Sequence, residues 1–221
     1  MQGRYTWRHD SVLLYLQPII QSLIDTANAN PERFVIPPIK SNFVRSGKSK
    51  SKPKSQRATT LVGASDWKLI VDFDSKAVFP PQIYCTLQRP DIVIWSDQAR
   101  KVLLVELTCP AEEGIEAAEI RKVSRYFGLK NACKDRGWST EILTIEAGAR
   151  GHVAKSIPRL LKRLGRSSKD INSDCKNISN IVSKCTHTIY LSREVYEWDK
   201  NRSLLSLEKP QRQFSSRVHS Q

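Results

Sequence analysis

The sequence lacks the long apolar segments that membrane and secreted proteins need. No stretch approaches the roughly eighteen uninterrupted apolar residues of a transmembrane helix, so we expect none. Residues 1–8 contain no apolar stretch of the kind found in a secretory signal. We therefore expect an intracellular protein that does not insert into a membrane.

Cysteines are few, odd in number and scattered along the chain. The five are Cys85, Cys109, Cys133, Cys175 and Cys185. Because an even set at regular spacing is what indicates a disulfide framework, these five predict reduced thiols inside the cell. Cys175, Cys185 and His187 do not have the spacing of a zinc finger, so the sequence predicts no structural zinc site.

Acidic residues are outnumbered by basic ones, 22 to 36, which gives a formal net charge of +14 at pH 7. A surplus of this size makes a polyanionic partner the default expectation, either nucleic acid or an anionic surface. No acidic residue lies between Glu32 and Asp66. We expect residues 27–65 to be a disordered basic linker. It is either a phosphate-binding arm or nuclear import signal, or simply a solvated loop, and both interpretations stay open.

The remaining pattern predicts an α/β domain. Apolar periodicity and turn signals predict helices at 11–24, 112–134 and 155–164, and strands at 68–72, 91–95, 101–105 and 141–146. The order helix, three strands, helix, strand, helix is typical of a short mixed sheet flanked by helices. We expect an N-terminal helix (1–26), the linker (27–65), the core (66–165), a C-terminal extension (166–200) and a disordered tail (201–221). Residues 166–186 are polar, and we expect them to be helical only in part.

Two acidic residues stand at the open end of the predicted hairpin. If its turn centres on Gln98 and Ala99, Asp91 faces Glu106 across the two strands. Their Cβ atoms then lie about 4.5–5.5 Å apart on one face of the sheet. Two carboxylates at that separation repel by about 3 kcal/mol at an effective dielectric of about 20, so a cation bound between them is the leading explanation. The alternative is a chance pairing, because Pro90-Asp91 is a common turn dipeptide.

A lysine in the long predicted helix completes this set. An apolar stripe at helical spacing is formed by Ile115, Ala118, Tyr126, Leu129 and Cys133. Lys122 falls in the middle of the stripe, where a buried ammonium needs an anionic partner or a function, although its stem can also carry the charge out to solvent. Together, Asp91, Glu106 and Lys122 supply two metal ligands and a cation. Phosphodiester hydrolysis by metal-activated water requires such a set.

A longer series of motifs carries a resemblance to a known family. In chain order these are Asp66-Trp67, Val71-Asp72-Phe73-Asp74, Thr86-Leu87-Gln88-Arg89-Pro90-Asp91-Ile92-Val93-Ile94-Trp95-Ser96, Val105-Glu106-Leu107-Thr108-Cys109-Pro110, Glu112, Arg121-Lys122, Tyr126, Gly137-Trp138 and Gly148-Ala149-Arg150-Gly151. With these motifs, residues 66–165 resemble the restriction-like endonuclease region downstream of the reverse transcriptase in non-LTR retroelements, which belongs to the PD-(D/E)XK nuclease superfamily. A weaker echo continues in Tyr5-Thr6-Trp7-Arg8-His9-Asp10.

The resemblance implies a PD-(D/E)XK restriction-endonuclease-like core and an endonuclease that nicks target DNA in the nucleus. It implies that Asp91 and Glu106 bind Mg²⁺, with Mn²⁺ as a possible substitute, and that the backbone carbonyl of Leu107 helps. Thr108 replaces the lysine usual two positions after the second acid, and Lys122 stands where the retroelement enzymes place their lysine. The implied partner is a reverse transcriptase domain of a parent polyprotein. The alternative is a catalytically inactive nucleic-acid-binding remnant of such a polyprotein.

Basic residues near the end of this region are candidates for DNA contact. The nucleic-acid-binding candidates are Arg125, Arg150, Lys155, Arg159 and Lys162. Arg150 and His152 lie in a glycine-flanked turn that lets a ligand approach the backbone closely. The helix that follows continues its basic face through Arg163 and Arg166, which suits phosphate contacts. Ordinary solvated charges are the alternative for both features.

Four further polar residues near these motifs are assigned no role. Asp72 and Asp74 could lend a carboxylate to the metal, but we expect that they do not. His9 and Asp10 resemble part of a catalytic triad only superficially, because no nucleophile is predicted near them.

Overall fold

The computed structural model describes residues 2–30, 59–73, 75–111, 115–194 and 198, and the side chains of all of these except Gln2 and residues 115–123. Within them the elements are α1 Gln2–Ala29, β1 Lys68–Val71, β2 Ile92–Ser96, β3 Lys101–Thr108, α2 Ile115–Asp135, β4 Ser139–Glu146, α3 Ser156–Arg163 and α4 Ser168–Leu191. The predicted α/β class is confirmed, with an open, mixed, four-stranded sheet and helices around it. None of the described helices is long and apolar enough to cross a membrane.

The sheet has the strand order β1-β2-β3-β4. β2 pairs antiparallel with both β1 and β3, whereas β4 joins β3 in parallel after the α2 crossover. The predicted register of the hairpin is confirmed, since Ile92 lies opposite Val105 and Ser96 lies opposite Lys101. Asp91, one residue before β2, therefore stands opposite Glu106.

Asp66 fixes the turn between β2 and β3. One oxygen of its carboxylate accepts a hydrogen bond from the Ser96 hydroxyl, and the other accepts one from the backbone N–H of Gln98 at 3.0 Å. Ser96 Oγ in turn accepts a hydrogen bond from the N–H of Ala99 at 3.0 Å. Arg100 completes the turn in the left-handed region, at a φ of 48°. These contacts set the register of the hairpin from its closed end.

The two faces of β3 enter two separate apolar clusters. Leu103, Val105 and Leu107 pack in a core that includes α1, α3 and α4. Val102 and Leu104 pack in a second cluster on the opposite face, with α2. Because side chains alternate along a strand, Glu106 projects toward the α2 side of the sheet.

The predicted apolar stripe of α2 is confirmed where its side chains are described. Tyr126, Leu129 and Cys133 are buried in the cluster that α2 forms with the sheet. The side chains of the other stripe residues and of Lys122 lie outside the described ones. The backbone places Lys122 in the first half of α2, as predicted.

The last helix is more regular than the sequence suggests. α4 is continuous from Ser168 to Leu191, so the prediction of a partial helix at 166–186 is wrong. Ile171, Ile178 and Val182 recur at helical spacing and are buried against the core. Burial of this stripe against the core stabilises α4, although the polar composition of the segment does not predict a continuous helix.

Both ends of the predicted linker are ordered. α1 extends from Gln2 to Ala29, well beyond the predicted 11–24, and Ala27 in its last turn is fully buried. At the other end, Leu61 is also fully buried, and its carbonyl accepts a hydrogen bond from Trp67 Nε1 at 2.9 Å. Residues 31–58 and the predicted tail, 201–221, lie outside the described residues.

A buried carboxylate joins α1 to α4. Asp174 is 3 % exposed. It accepts hydrogen bonds from Arg166 Nε at 2.9 Å and from the Tyr15 hydroxyl at 3.0 Å. A buried acid with a charged partner and a neutral partner stabilises the packing of the two helices only while all three groups are present.

Replacing Asp174 with alanine should therefore lower the free energy of unfolding by roughly 2–4 kcal/mol, because the Arg166 guanidinium loses its buried partner. Asp170→Ala is the matched control. The Asp170 side chain is 48 % exposed and lies 3.9 Å from Arg166, so its loss should cost less than about 1 kcal/mol. Urea unfolding followed by circular dichroism measures both, and equal losses in the two variants would contradict the assigned role of Asp174.

Candidate active site

The open end of the hairpin brings the two predicted acids together. The backbone N–H of Asp91 donates to Glu106 Oε2 at 3.2 Å. The backbone N–H of Leu107 donates to Asp91 Oδ2 at 2.7 Å. The Asp91 carbonyl accepts from the N–H of Asp72 at 2.8 Å, which ties this corner to the end of β1. Each carboxylate thus binds the backbone of the other strand, and the two are held side by side.

These acids lie on the wall of an open cleft of about 560 Å³. The cleft is lined by Asp72, Ser75, Thr86, Leu87, Gln88, Arg89, Asp91, Glu106 and Arg125. Glu106 is 2 % exposed, whereas the Asp91 side chain is 15 % exposed. Beside them, burial and the charge of Glu106 raise the pKa of the Tyr126 hydroxyl, so that hydroxyl stays protonated and donates to the Arg89 carbonyl at 2.9 Å.

The backbone of Leu107 faces the same place. Its N–H points at Asp91, and the N–H and C=O of one residue in a strand point toward the same neighbouring strand. The Leu107 carbonyl therefore lies on the Asp91 side of β3. The resemblance implies that this carbonyl joins the two carboxylates as a metal ligand, and that assignment stays a prediction.

This donor set fits a hard divalent cation. Mg²⁺ takes oxygen ligands, keeps several waters and is commonly held by one or two carboxylates. Asp91, Glu106 and the Leu107 carbonyl are donors of that kind. In the described part of the chain, no group of three or more His, Cys, Asp or Glu side chains is placed to hold a metal ion. Any cation bound at Asp91 and Glu106 would therefore depend on backbone oxygen and water for its remaining ligands.

Of two residues to which the sequence assigns no role, His9 lies against Asp91 and Asp10 lies against His9. His9 Nε2 is 3.2 Å from Asp91 Oδ2, and His9 Nδ1 is 3.0 Å from Asp10 Oδ1. Burial lowers the pKa of the His9 imidazole, but hydrogen bonds to Asp10 and Asp91 and the charges of both outweigh it and raise the pKa to about 9. His9 is therefore a cation at neutral pH, with each ring nitrogen donating to a carboxylate. Its only signal in the sequence is the weak echo at residues 5–10.

The residue before His9 anchors α1 to the chain that follows β3. Arg8 is buried, and its Nη2 donates to the Cys109 carbonyl at 2.7 Å while its Nη1 donates to Thr186 Oγ1 at 3.0 Å. Cys109 itself offers no nucleophile, because burial raises the pKa of its thiol to about 12. This junction of α1, β3 and α4 fixes where His9 stands relative to Asp91.

Position 108, where the superfamily usually has a lysine, is a threonine with a buried hydroxyl. Thr108 Oγ1 is buried and has no hydrogen-bond partner within the described part of the structure. Lys122, the proposed substitute, lies on α2 beside the same face of the sheet, and its side chain is outside the described ones. Its predicted role remains a prediction.

The predicted DNA contacts fall in two places. Arg125 lines the cleft, and its guanidinium lies 5.7 Å from the centre of the Tyr126 ring. The other four, Arg150, Lys155, Arg159 and Lys162, are exposed on the turn before α3 and on α3 itself. Because α3 packs in the core on the other face of the sheet, the structure does not bring them to the cleft.

Two basic residues of the α3 region are committed to ion pairs. Arg163 Nη1 and Nη2 donate to the two carboxylate oxygens of Glu141 at 2.7 and 2.6 Å. Arg166 pairs with Asp174 through its Nε. Acids on β4 and α4 thus engage both guanidinium groups, and the prediction that they continue a basic phosphate-binding face stays a prediction.

In metal-free protein, the His9 imidazole should titrate near pH 9, and Asp10→Asn should lower that midpoint. A raised folded-state pKa stabilises the fold fully below the unfolded value, about 6.5, and the contribution is lost as pH rises through about 9. His9→Gln should therefore lower the free energy of unfolding by roughly 2–3 kcal/mol near pH 6 and by little near pH 10. NMR of the ring protons, assigned by the signal missing in His9→Gln, measures the midpoint. A midpoint at or below 6.5 would contradict the contacts with Asp10 and Asp91.

Comparisons with known proteins identify no relative of this chain. The chain matches no protein-family model, no curated protein and no solved structure. The nuclease interpretation therefore depends on the motifs in the sequence and on the geometry at the end of the hairpin.

Proposed function

We propose that this chain is a metal-dependent DNA endonuclease domain of retroelement origin, with a PD-(D/E)XK core, that hydrolyses a phosphodiester and nicks target DNA. The observation that carries the proposal is the pairing of Asp91 with Glu106 on the wall of an open cleft. The net charge of +14 supports a polyanionic substrate. The proposed origin implies a reverse transcriptase domain as partner and the nucleus as the place of action.

The proposed roles follow from the chemistry of each group. Asp91, Glu106 and the Leu107 carbonyl hold the cation. When bound, Mg²⁺ lowers the pKa of a coordinated water and offsets negative charge on the scissile phosphate. As the resemblance implies, Lys122 is assigned to the charge that develops in the transition state, because a cation next to that charge lowers the barrier.

The cleft offers cations to the DNA backbone. Arg89 and Arg125 lie on its wall, and Gln88 Nε2 donates to the Arg125 carbonyl at 3.0 Å, which joins the loop before β2 to α2. Arg89 donates to the Ser75 carbonyl. The first contact fixes the backbone of Arg125 and the second fixes the Arg89 guanidinium, so both side chains start from the cleft wall, where they can neutralise phosphates on either side of the scissile bond.

A second candidate function is binding of nucleic acid without turnover. Two observations favour it: Thr108 occupies the usual lysine position, and the described acids near the cleft form no cluster of three metal ligands. The surplus of basic charge and the exposed residues on α3 would serve this function equally well.

Nicking of supercoiled plasmid separates the two functions. The full chain should nick DNA with Mg²⁺ or Mn²⁺ and not with EDTA. Asp91→Asn and Glu106→Gln should each lower the rate by at least about 100-fold, because the cation and the several kcal/mol it supplies are lost. Both should bind DNA as the wild type does.

Asp97→Asn is the matched control, since Asp97 is a partly exposed acid in the turn of the same hairpin and pairs with Lys68 at 2.7 Å. It should nick at the wild-type rate. DNA that is bound by every protein and nicked by none would overturn the nuclease and favour the binding function.

The exposed cations of α3 should contribute to DNA affinity under either function. Replacing Lys155, Arg159 and Lys162 with alanine should flatten the plot of log affinity against log salt by roughly 0.9 for each phosphate that the protein no longer neutralises. Fluorescence anisotropy with a labelled duplex at several salt concentrations measures the slope.

The charge-matched control replaces three exposed lysines of α4, Lys169, Lys176 and Lys184. Both triple variants remove the same charge, so a purely nonspecific effect would change both slopes equally. Equal slopes would remove α3 from the DNA-binding surface.

A further inference from the structure

We infer that His9, held by Asp10, positions the Asp91 carboxylate for the cation, so that the first turns of α1 form part of the active site. This inference rests on the proposed function. His9 is a positioning residue rather than a catalytic one, because it touches the proposed ligand and not the reacting atoms. Its role follows from where its two ring nitrogens lie.

Two hydrogen bonds to the Asp91 carboxylate fall on the same oxygen. Oδ2 accepts from the Leu107 N–H at 2.7 Å and faces His9 Nε2 at 3.2 Å. Two donors on Oδ2 fix the plane of the carboxylate and direct Oδ1 away from them. Oδ1 is therefore the oxygen that a cation would take.

The imidazole is itself fixed from behind. Its Nδ1 lies 3.0 Å from Asp10 Oδ1, so the ring stands between two carboxylates, one from α1 and one from the hairpin. In metal sites, partners of this kind that orient a ligand typically change metal affinity or activity about 10- to 100-fold when they are removed. Here the orienting group is an imidazole and the ligand is the acid, but the geometric requirement is the same.

The backbone around His9 cannot shift freely. Trp7 and Arg8 before it and Val12 after it are buried, and Arg8 is bound to the Cys109 carbonyl. The core thus sets the position of α1 relative to Asp91, across 82 positions of the sequence. If His9 served only to pack α1, its Nε2 would not need to face the Asp91 carboxylate at the open end of the hairpin.

The Mn²⁺ affinity of the full chain tests this inference. Electron paramagnetic resonance of free Mn²⁺ measures the affinity, and plasmid nicking is measured beside it. His9→Ala should weaken Mn²⁺ binding by about 10- to 100-fold and lower nicking most at subsaturating metal. His9→Gln should restore most of both, because its amide can donate to Asp91 from nearly the place of Nε2. Asp10→Asn should weaken binding less than His9→Ala does.

His187→Ala is the control, since that histidine is exposed on α4. Thermal unfolding checks that each variant is folded. If His9→Ala is not folded, the other two variants decide. Weaker Mn²⁺ binding by folded Asp10→Asn, together with retained Mn²⁺ binding by His9→Gln, then supports the positioning role of His9. Unchanged Mn²⁺ affinity in folded His9 and Asp10 variants, with affinity lost in Asp91→Asn, would overturn the positioning role and leave the nuclease standing. No Mn²⁺ binding and no nicking by the wild type would overturn both.

Discussion

The pairing register of the β2–β3 hairpin is the constraint on which the proposed site depends. Asp66 fixes its closed end through Ser96 and Gln98, and the bond from the Leu107 N–H to Asp91 fixes its open end. A slip of one residue would turn Glu106 onto the other face of β3, where α1, α3 and α4 form an apolar core. Burying an unpaired carboxylate there is costly, so the same force that sets the register also keeps the two acids together.

The N-terminal helix depends on that register too. Arg8 and His9 are consecutive, and each binds a part of the hairpin or its continuation: Arg8 the Cys109 carbonyl, His9 the Asp91 carboxylate. A buried guanidinium needs acceptors for its N–H groups, and α4 supplies a second acceptor through Thr186, while Arg8 Nε has no partner in the described part of the structure. The first and the last of the described helices therefore meet at the end of β3. The site belongs to the whole fold rather than to the hairpin alone.

The sequence predicts what local rules decide. Alternation and a turn at Gln98 were enough for the register of the hairpin and hence for the proximity of Asp91 and Glu106. Helical periodicity was enough for the buried face of α2 where its side chains are described, at Tyr126, Leu129 and Cys133. The position of His9 beside Asp91 follows from the packing of α1, which no local pattern contains. Likewise, the sequence predicts that Arg163 belongs to a basic face. Its ion pair with Glu141 follows from the packing of α3 against β4, which no local pattern contains.

The chemistry around the acid pair bears on which metal the proposed site would choose. Zn²⁺ favours thiolate and neutral imidazole. Burial keeps the Cys109 thiol protonated, with a pKa of about 12, and both nitrogens of His9 already face carboxylates. The donors that the proposed site offers to a cation are the oxygens of Asp91, Glu106 and Leu107. Oxygen ligands suit Mg²⁺ and Mn²⁺. The contact between His9 and Asp91 holds the carboxylate in place, and it also occupies the imidazole nitrogen that would favour a softer metal.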